Sequence, residues 1–566
     1  MFPVCTQEAA CFRDALNCQP RSVTPGETNH PEGREPGGST EGDQPRSIAG
    51  QVATGGTWGL SGRVLVLLAA MVATPFTVRL LGPSGYGTWA LLQTSLTLAT
   101  LTDLGMATAS TKFATEQFVR GDARNEAAVV WTALLITGLG TALLAIAMGI
   151  WAPTIVIHLL HAHGRLLVTD VMALRIVCGL FLVQSIAGTA NTPQLVRLRW
   201  RDYTIITQGA NFMLVAGVPL AVALVSGNVV TAAAVGLGAT GLGAVGNFLL
   251  AAHLQPALRR IHVNRRLLRP LLAYGGALSV AALAAIPLTT GERFALAFNR
   301  PPNVVAYYAL AASLGTILAE VPQQLIGPLL PGLVRLEATG KSAEHRALYT
   351  QSLQGLFLFL APAVVLLAFV AHPFISLWAG PEYGRYSTGP LFVILGGVLF
   401  SALANVPYSY LFSSGRTKTV AYLHLAELVP YLVGAAVMTS KFGAVGAAYV
   451  WSARAAVDSI ACFAAVRRLG GLPWSPLPTR RLLAVLTPLT FGLVLAVLAT
   501  VEHSLAARTG CAAVLAASYA VLAWRVVLTA KERSGLLALL SEAVPGLRAR
   551  VRTSVAKDPP PPPADH

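Results

Sequence analysis

Charge is what this chain lacks most. Asp, Glu, Lys and Arg together make up 12% of its 566 residues, against about 25% in an ordinary soluble domain. So thin a charged layer cannot cover a water-facing surface on a chain this long, which excludes a set of soluble domains. Cysteine is scarce as well. Cys5, Cys11 and Cys18 lie in a polar N-terminal segment, Cys178, Cys462 and Cys511 lie in apolar runs, and none is in a C-x-x-C spacing. That pattern supports neither a disulfide framework nor a metal site. The first 55 residues lack the charged start, apolar middle and cleavage site of a secretory signal. They are rich in Pro, Gly, Glu and Arg, have no apolar period, and are expected to be disordered. The tail 530–566 ends in a short proline run and is expected to be unfolded too.

What the chain has instead is grease. Apolar residues make up 54% of it, and the mean hydropathy is +0.60. About 20 apolar residues cross a hydrocarbon core as a helix, and helices satisfy their own backbone polar groups in lipid. Fourteen runs meet that length: 57–80, 86–111, 127–150, 168–190, 203–225, 229–252, 271–298, 303–330, 354–378, 388–413, 418–439, 443–466, 481–500 and 507–529. With the N-terminus cytoplasmic, the connections on the inside carry twenty Lys and Arg, among them Lys112, Arg197, Arg260, Arg335, Lys418 and Arg468. The outside connections carry five, Arg165, Arg300, Arg385, Lys441 and Arg508. Every inside loop shows the same bias, as the positive-inside rule requires of a correct count. The net charge of +16 therefore reflects topology and contact with lipid headgroups and needs no nucleic-acid partner.

The turn at Gly82-Pro83-Ser84-Gly85 recurs in weaker form 219 residues later, around Pro301-Pro302. Trp89 then falls on Tyr308, Ala90 on Ala309 and Thr94 on Ser313. A second echo lays "TAAAV" at 231–235 over "GAAYV" at 446–450. A parallel repeat of this kind implies two lobes related by an axis along the membrane normal, with a cavity between them. The expected fold is thus an all-α polytopic membrane protein of about 14 transmembrane helices. Its N-lobe is 57–252, its C-lobe 271–466, and an extra helix pair follows at 481–529. Both tails are cytoplasmic.

A charge at mid-bilayer costs about 2.5–3.5 kcal/mol on insertion scales, so each one needs a reason. Arg63 and Arg79 lie near the ends of the first span and can snorkel to headgroups. Arg454 and Asp458 are four apart on one helix and can pair. Asp170 is expected at the interface. The cluster His158, His161 and His163 has no acidic partner nearby and is expected in an exposed loop, not around a metal. Asp103, Arg175, Glu292, Arg293, Glu320 and Glu427 are harder to dismiss. Glu320 precedes Pro322, Pro328 and Pro331, and Glu427 is close to Pro430; prolines free carbonyls that only a cavity tolerates. Arg293 offers a planar fork that holds its proton, suited to phosphate. Buried carboxylates carry protons or coordinate Na⁺.

Leu81-Gly82-Pro83-Ser84-Gly85-Tyr86-Gly87, the later Asp103-Leu104-Gly105, the pair Glu292-Arg293 and Tyr308-Ala309-Leu310-Ala311 together resemble the oligosaccharide flippase or polysaccharide biosynthesis protein family. That family belongs to the multidrug/oligosaccharidyl-lipid/polysaccharide exporter superfamily. "FISLWAGPEYG" (374–384) and "FGAVGAAYVW" (442–451) match its style. The likeness covers roughly 57–470. It departs from the family at Asn299-Arg300-Pro301-Pro302, where L-G-P is usual, and at Glu292, where Asp is more common. The resemblance implies an alternating-access flippase in the bacterial cytoplasmic membrane, moving a polyprenyl-pyrophosphate-linked oligosaccharide for polysaccharide export. Arg63, Arg175 and Arg293 would hold phosphate, and Asp103, Glu292, Glu320 and Glu427 would line the cavity or exchange H⁺ or Na⁺. A polysaccharide polymerase and glycosyltransferases are the implied partners, and no cofactor is implied. The alternatives are a cation-coupled multidrug antiporter or a lipid II flippase of the same superfamily. A membrane glycosyltransferase or polymerase is a third, but the chain has no large outside loop with an Asp-x-Asp to serve it.

Overall fold

The computed structural model describes residues 48–98, 103, 105–161, 164–225, 227–326 and 329–472, and isolated positions between 510 and 525. The expected disordered segment, the last two spans and the C-terminal tail fall largely or wholly outside the described residues. One described contact reaches that region: the Tyr519 hydroxyl donates to the Leu358 carbonyl at 2.9 Å.

The described residues are helical almost throughout, with no strand among them. In chain order the helices are α1 (Ile48–Ser95), α2 (Met106–Val119), α3 (Ala123–Ile150), α4 (Ala152–Leu160), α5 (Arg165–Ala190), α6 (Thr192–Val196) and α7 (Trp200–Leu224). There follow α8 (Val229–Leu254), α9 (Arg265–Asn299), α10 (Pro302–Ile326), α11 (Leu329–Ala338), α12 (Ser342–Trp378), α13 (Pro381–Ser413) and α14 (Thr417–Gly470). Among the described residues, nine helices are long and apolar enough to cross a membrane. The chain is a multi-pass membrane protein.

Two of the nine are each a pair of segments meeting at a sharp bend. In α1 the bend is Gly82, at φ 67° and ψ 174°; in α14 it is Gly443, at φ 56° and ψ −130°. Side-chain-bearing residues rarely adopt such angles. Pro83 then opens the second segment of α1, where its fixed φ suits a first helical turn. The end of the molecule bearing this bend is called the Gly82 end below, and the opposite one the Arg120 end.

The second expected span is not one helix. Among the described residues, Asp103 and Gly105 lie in a turn ahead of α2, with Gly105 at φ 64°. The loop expected around the three histidines also differs. Its first part is α4, which buries Ala152, Val156 and Leu160, and His158 Nδ1 bonds the Thr154 carbonyl at 2.8 Å. Helix α3 is capped by Asp122, whose carboxylate accepts from the Asn125 backbone N–H at 2.9 Å; that bond and the Asn125 amide hold its carboxyl below the usual carboxylate range.

Helices α2 to α8 pack mainly on one another, and so do α9 to α14. Small residues make this packing close. The buried face of α8 reads Val229, Ala232, Ala233, Gly236, Ala239, Gly243 and Ala251, the small-residue stripe by which helices approach in lipid. Large apolar side chains such as Leu143, Val168, Leu224 and Leu249 point outward, which lipid tolerates and water would not. A bidentate ion pair ties the first group near the Arg120 end: Arg197 Nη1 and Nη2 reach Glu126 Oε1 and Oε2 at 2.6 and 3.1 Å. The largest apolar core lies toward the Gly82 end and draws on both groups, with Trp89, Phe181, Leu296, Tyr308, Ile375 and Leu391 among its members.

Candidate functional site

Two cavities meet at Arg293, the first bordered by α1, α7 and α10 and the second within the α9–α14 group. The first, of about 310 Å³, is walled by α1 through Thr74, Thr77, Trp89, Gln93 and Thr94, by α7 through Leu214 and Val218, and by α10 through Ser313. The second, of about 290 Å³, lies among α9, α10, α13 and α14 and includes Thr289, Glu292, Thr316, Ser401 and Arg454. Among the described residues, Arg293 is the one that lines both.

The local sequence explains why Arg293 is there. Glu292 and Arg293 are adjacent on α9, so their side chains leave the helix about 100° apart. Glu292 turns inward and is 1% exposed. Its Oε1 accepts from the Tyr308 hydroxyl of α10 at 3.0 Å, and its Oε2 accepts from the Tyr431 hydroxyl of α14 at 2.5 Å. Arg293 turns toward the cavities and keeps 30% of its side-chain surface. One terminal nitrogen donates to Thr94 Oγ1 at 3.3 Å, and Nε, 3.6 Å from Glu292 Oε1, is buried without a hydrogen-bond partner. The guanidinium is thus held beside a carboxylate that two tyrosines fix, and its side chain stays partly open to the cavities.

A second polar group sits behind the second cavity. Arg454 Nε is 3.3 Å from Glu427 Oε2, its Nη1 donates to the Leu288 carbonyl at 2.8 Å, and its Nη2 is 3.9 Å from Asp458 Oδ2. The pairing of Arg454 with Asp458 expected from their spacing is present, but Glu427 is the nearer partner. The Tyr408 hydroxyl donates to Asp458 Oδ1 at 2.5 Å and contacts His424 Nε2 at 2.9 Å.

The other flagged residues fall elsewhere. Arg63 and Glu320, 257 positions apart, form an ion pair at 2.8 Å that bridges α1 and α10. Asp103 lines neither cavity. Its Oδ2 accepts from the Ala107 N–H at the start of α2, and its Oδ1 accepts from the Thr137 and Thr189 hydroxyls at 3.2 and 3.4 Å. Arg175 is exposed, 3.4 Å from the Gly149 carbonyl, and lines neither cavity. Asp170, expected at the interface, is buried. Arg79 does not reach for headgroups alone; it donates to the Leu377 and Trp378 carbonyls of α12 at 2.7 and 3.1 Å. Sequence reading placed Tyr308 in a repeat and a motif without a site role, and passed over Tyr408 and Tyr431. Their signal was a tyrosine inside an apolar run, since a phenol in lipid needs a partner for its proton.

Both ends of the cavity region are bridged. At the Gly82 end Gly87 lies so close to Pro302 that a Cβ on it would sit 1.8 Å from the Pro302 carbonyl oxygen. Tyr86 meets Tyr383 edge-on at 6.4 Å, and the Trp378 indole donates to the Met71 carbonyl at 2.9 Å. At the Arg120 end the Arg63–Glu320 pair spans α1 and α10.

The sequence profile described as "Polysaccharide biosynthesis protein" matches residues 52–337, half of the chain. The chain belongs to that family. It is 28% identical over 200 residues to a Shigella flexneri protein described as "Putative O-antigen transporter", across 35% of this chain and 47% of that one. It thus spans about half the length of that curated relative. Among solved structures, "Lipid II flippase MurJ, inward closed conformation" superposes with a TM-score of 0.64 at 10% identity, covering 84% of this chain and 100% of that one. An inward-facing multidrug resistance MATE family transporter of the MOP superfamily superposes with a TM-score of 0.61 at 14% identity, covering 73% and 97%. These likenesses show the fold, that of MOP-superfamily transporters, which is the superfamily of the resemblance seen in the sequence.

Proposed function

We propose that the protein is an alternating-access flippase that carries a polyprenyl-pyrophosphate-linked oligosaccharide across the bacterial cytoplasmic membrane. The observation that carries this reading is Arg293. It lines both cavities, and its Nε is buried without an acceptor. Its Nε faces Glu292 at 3.6 Å, and the side chain keeps 30% of its surface, so the cavity-facing part of the guanidinium is left for a pyrophosphate oxygen. The sugar headgroup then occupies the polar cavity between Thr74, Gln93, Thr94 and Ser313 while the prenyl chain stays in lipid. Family membership and the O-antigen transporter relative support the substrate class.

Two six-helix lobes, 57–252 and 271–466, rock about this cavity with the 481–529 pair alongside, and both termini are cytoplasmic. Arg63 and Glu320 act as a pair closing the Arg120 end, on the cytoplasmic side. The Asp103 cluster braces α2, α3 and α5, and Arg175 faces away from the substrate. A polymerase and glycosyltransferases supply and consume the carried glycan.

A multidrug antiporter for cationic drugs is disfavoured, because Arg293 is the one charged residue lining the first cavity. A lipid II flippase shares the pyrophosphate chemistry and differs in the sugar. The test is transport of a labelled polyprenyl-pyrophosphate oligosaccharide in proteoliposomes. Arg293→Ala, expressed and folded as wild type, loses transport. Arg293→Lys keeps the charge but loses the fork and recovers only part of it. Normal transport by Arg293→Ala refutes the reading, and competition by lipid II would move it to the second substrate.

A further inference from the structure

The polar group behind the second cavity does not balance. Three carboxyl groups, Glu292, Glu427 and Asp458, face two guanidiniums, Arg293 and Arg454. Glu292 is fully engaged by Tyr308, Tyr431 and Arg293. The excess therefore falls on Glu427 and Asp458, which share Arg454 alone. Glu427 is 91% buried by its 9% exposure, and its Oε1 has no donor. Asp458 sits on the same guanidinium, 3.9 Å from Nη2, while Glu427 is 3.3 Å from Nε. Two carboxylates on one guanidinium leave one buried negative charge unbalanced, and Glu427 Oε1 has no donor; one proton held by the pair balances that charge.

We propose that Glu427 and Asp458 form a two-carboxyl, one-proton site, and that this is where the transporter exchanges the H⁺ that drives it. A relay leads to it. Tyr408 has a single hydroxyl proton and donates it to Asp458 Oδ1, so the contact with His424 Nε2 requires the imidazole to be the donor. His424 lies about 10 Å along α14 from its Thr417 end. A proton taken up at His424 Nδ1 lets Nε2–H pass to Tyr408 as Tyr408 passes its own to Asp458. The Tyr408 oxygen gains one proton as it gives one, the imidazole changes tautomer and stays neutral, and Asp458 ends with the proton. The other groups facing the pair are Arg454, Cys462, whose Sγ is 4.0 Å from Asp458 Oδ1, and, through Tyr431, Glu292 and Arg293 of α9. Arg454 also lines the second cavity, so release of the shared proton tightens the hold on Arg454 next to the substrate. The coupling half of this proposal rests on the transport reading above; the shared proton does not.

The test is infrared spectroscopy of the full-length protein in liposomes. Wild type near neutral pH is expected to show a protonated-carboxyl C=O band that shifts in D₂O. The band is lost in Glu427→Gln and in Asp458→Asn, because either remaining carboxylate then pairs with Arg454 alone. No such band in wild type, or a band kept in both variants, overturns the shared proton. Loss of the band on adding Na⁺ at constant pH assigns the site to Na⁺ and overturns the proton assignment. The second arm follows the labelled substrate under a pH gradient. Transport by wild type that ignores the gradient overturns the coupling while the band still decides the proton. Absence of any transport rejects the flippase reading instead.

Discussion

The Arg63–Glu320 pair is the contact whose removal should most directly open the Arg120 end. It joins α1 to α10 at 2.8 Å, and its partners keep 39% and 23% of their side-chain surface. At that exposure solvent screens the pair, and its net worth is about 0.5–1 kcal/mol. Arg63→Gln removes the attraction and moves the closed–open equilibrium about 2- to 5-fold. Arg63→Glu adds repulsion of similar size, for a total of about 1–2 kcal/mol and roughly a 5- to 30-fold shift. The assay labels a cysteine placed at the cavity residue Ser313, in a background where Cys5, Cys11, Cys18 and Cys511 are Ser. Cys178 and Cys462 are buried and stay. A membrane-impermeant thiol reagent applied from the Arg120 side should react faster in Arg63→Glu by about the factor given. The exchanged double variant Arg63→Glu with Glu320→Arg should return to the wild-type rate. A single variant that labels like wild type would show that other contacts hold this end, and a double variant that stays fast would show that the residues act separately.

Further outcomes follow from the same contacts. Gly87→Val forces a side chain into the Pro302 backbone; because backbone cannot swing aside, the Gly82 end is expected to stay open, read as faster labelling from that side. Tyr431→Phe removes a hydrogen bond to a buried carboxylate and should cost about 1.5–3 kcal/mol. It should lower the thermal midpoint of the detergent-solubilised protein more than Tyr308→Phe, whose bond is longer at 3.0 against 2.5 Å. Glu126→Ala leaves Arg197 buried without its bidentate partner, at about 3–5 kcal/mol; yield and thermal midpoint should both fall, and equal yields would show that Gln255 and water compensate.

Much of the fold was legible because lipid imposes a length and a polarity on every spanning helix. The apolar runs up to residue 466 overlie described helices, and the Gly82 turn is where α1 bends. The turn at Asp103 and Gly105 was not legible, since "LTLATLTDLGM" is apolar enough to read as one helix. Only the positions of Thr137 and Thr189 show why Asp103 can end it: their hydroxyls complete the bonding of a carboxylate that caps α2. The charged residues were equally visible in the sequence, but not their partners. Glu320 meets Arg63 across 257 positions, and Tyr431 meets Glu292 across 139; no periodicity links residues on helices that distant. Arg175 shows the converse, an intramembrane arginine that helix orientation turns away from both cavities.

The sequence by itself determined that the chain is a multi-pass membrane protein and where its helices run, because solvation by lipid acts on each segment alone. It also marked the few charges that needed a reason. Tertiary structure decided which reason each one has. Arg293 faces the cavities because Glu292, its neighbour, is held from the other side by tyrosines of two other helices. Glu427 and Asp458 share one arginine because α14 folds back on itself at Gly443. A charge in lipid is stable only with its partners, and those partners come from segments that packing alone brings together.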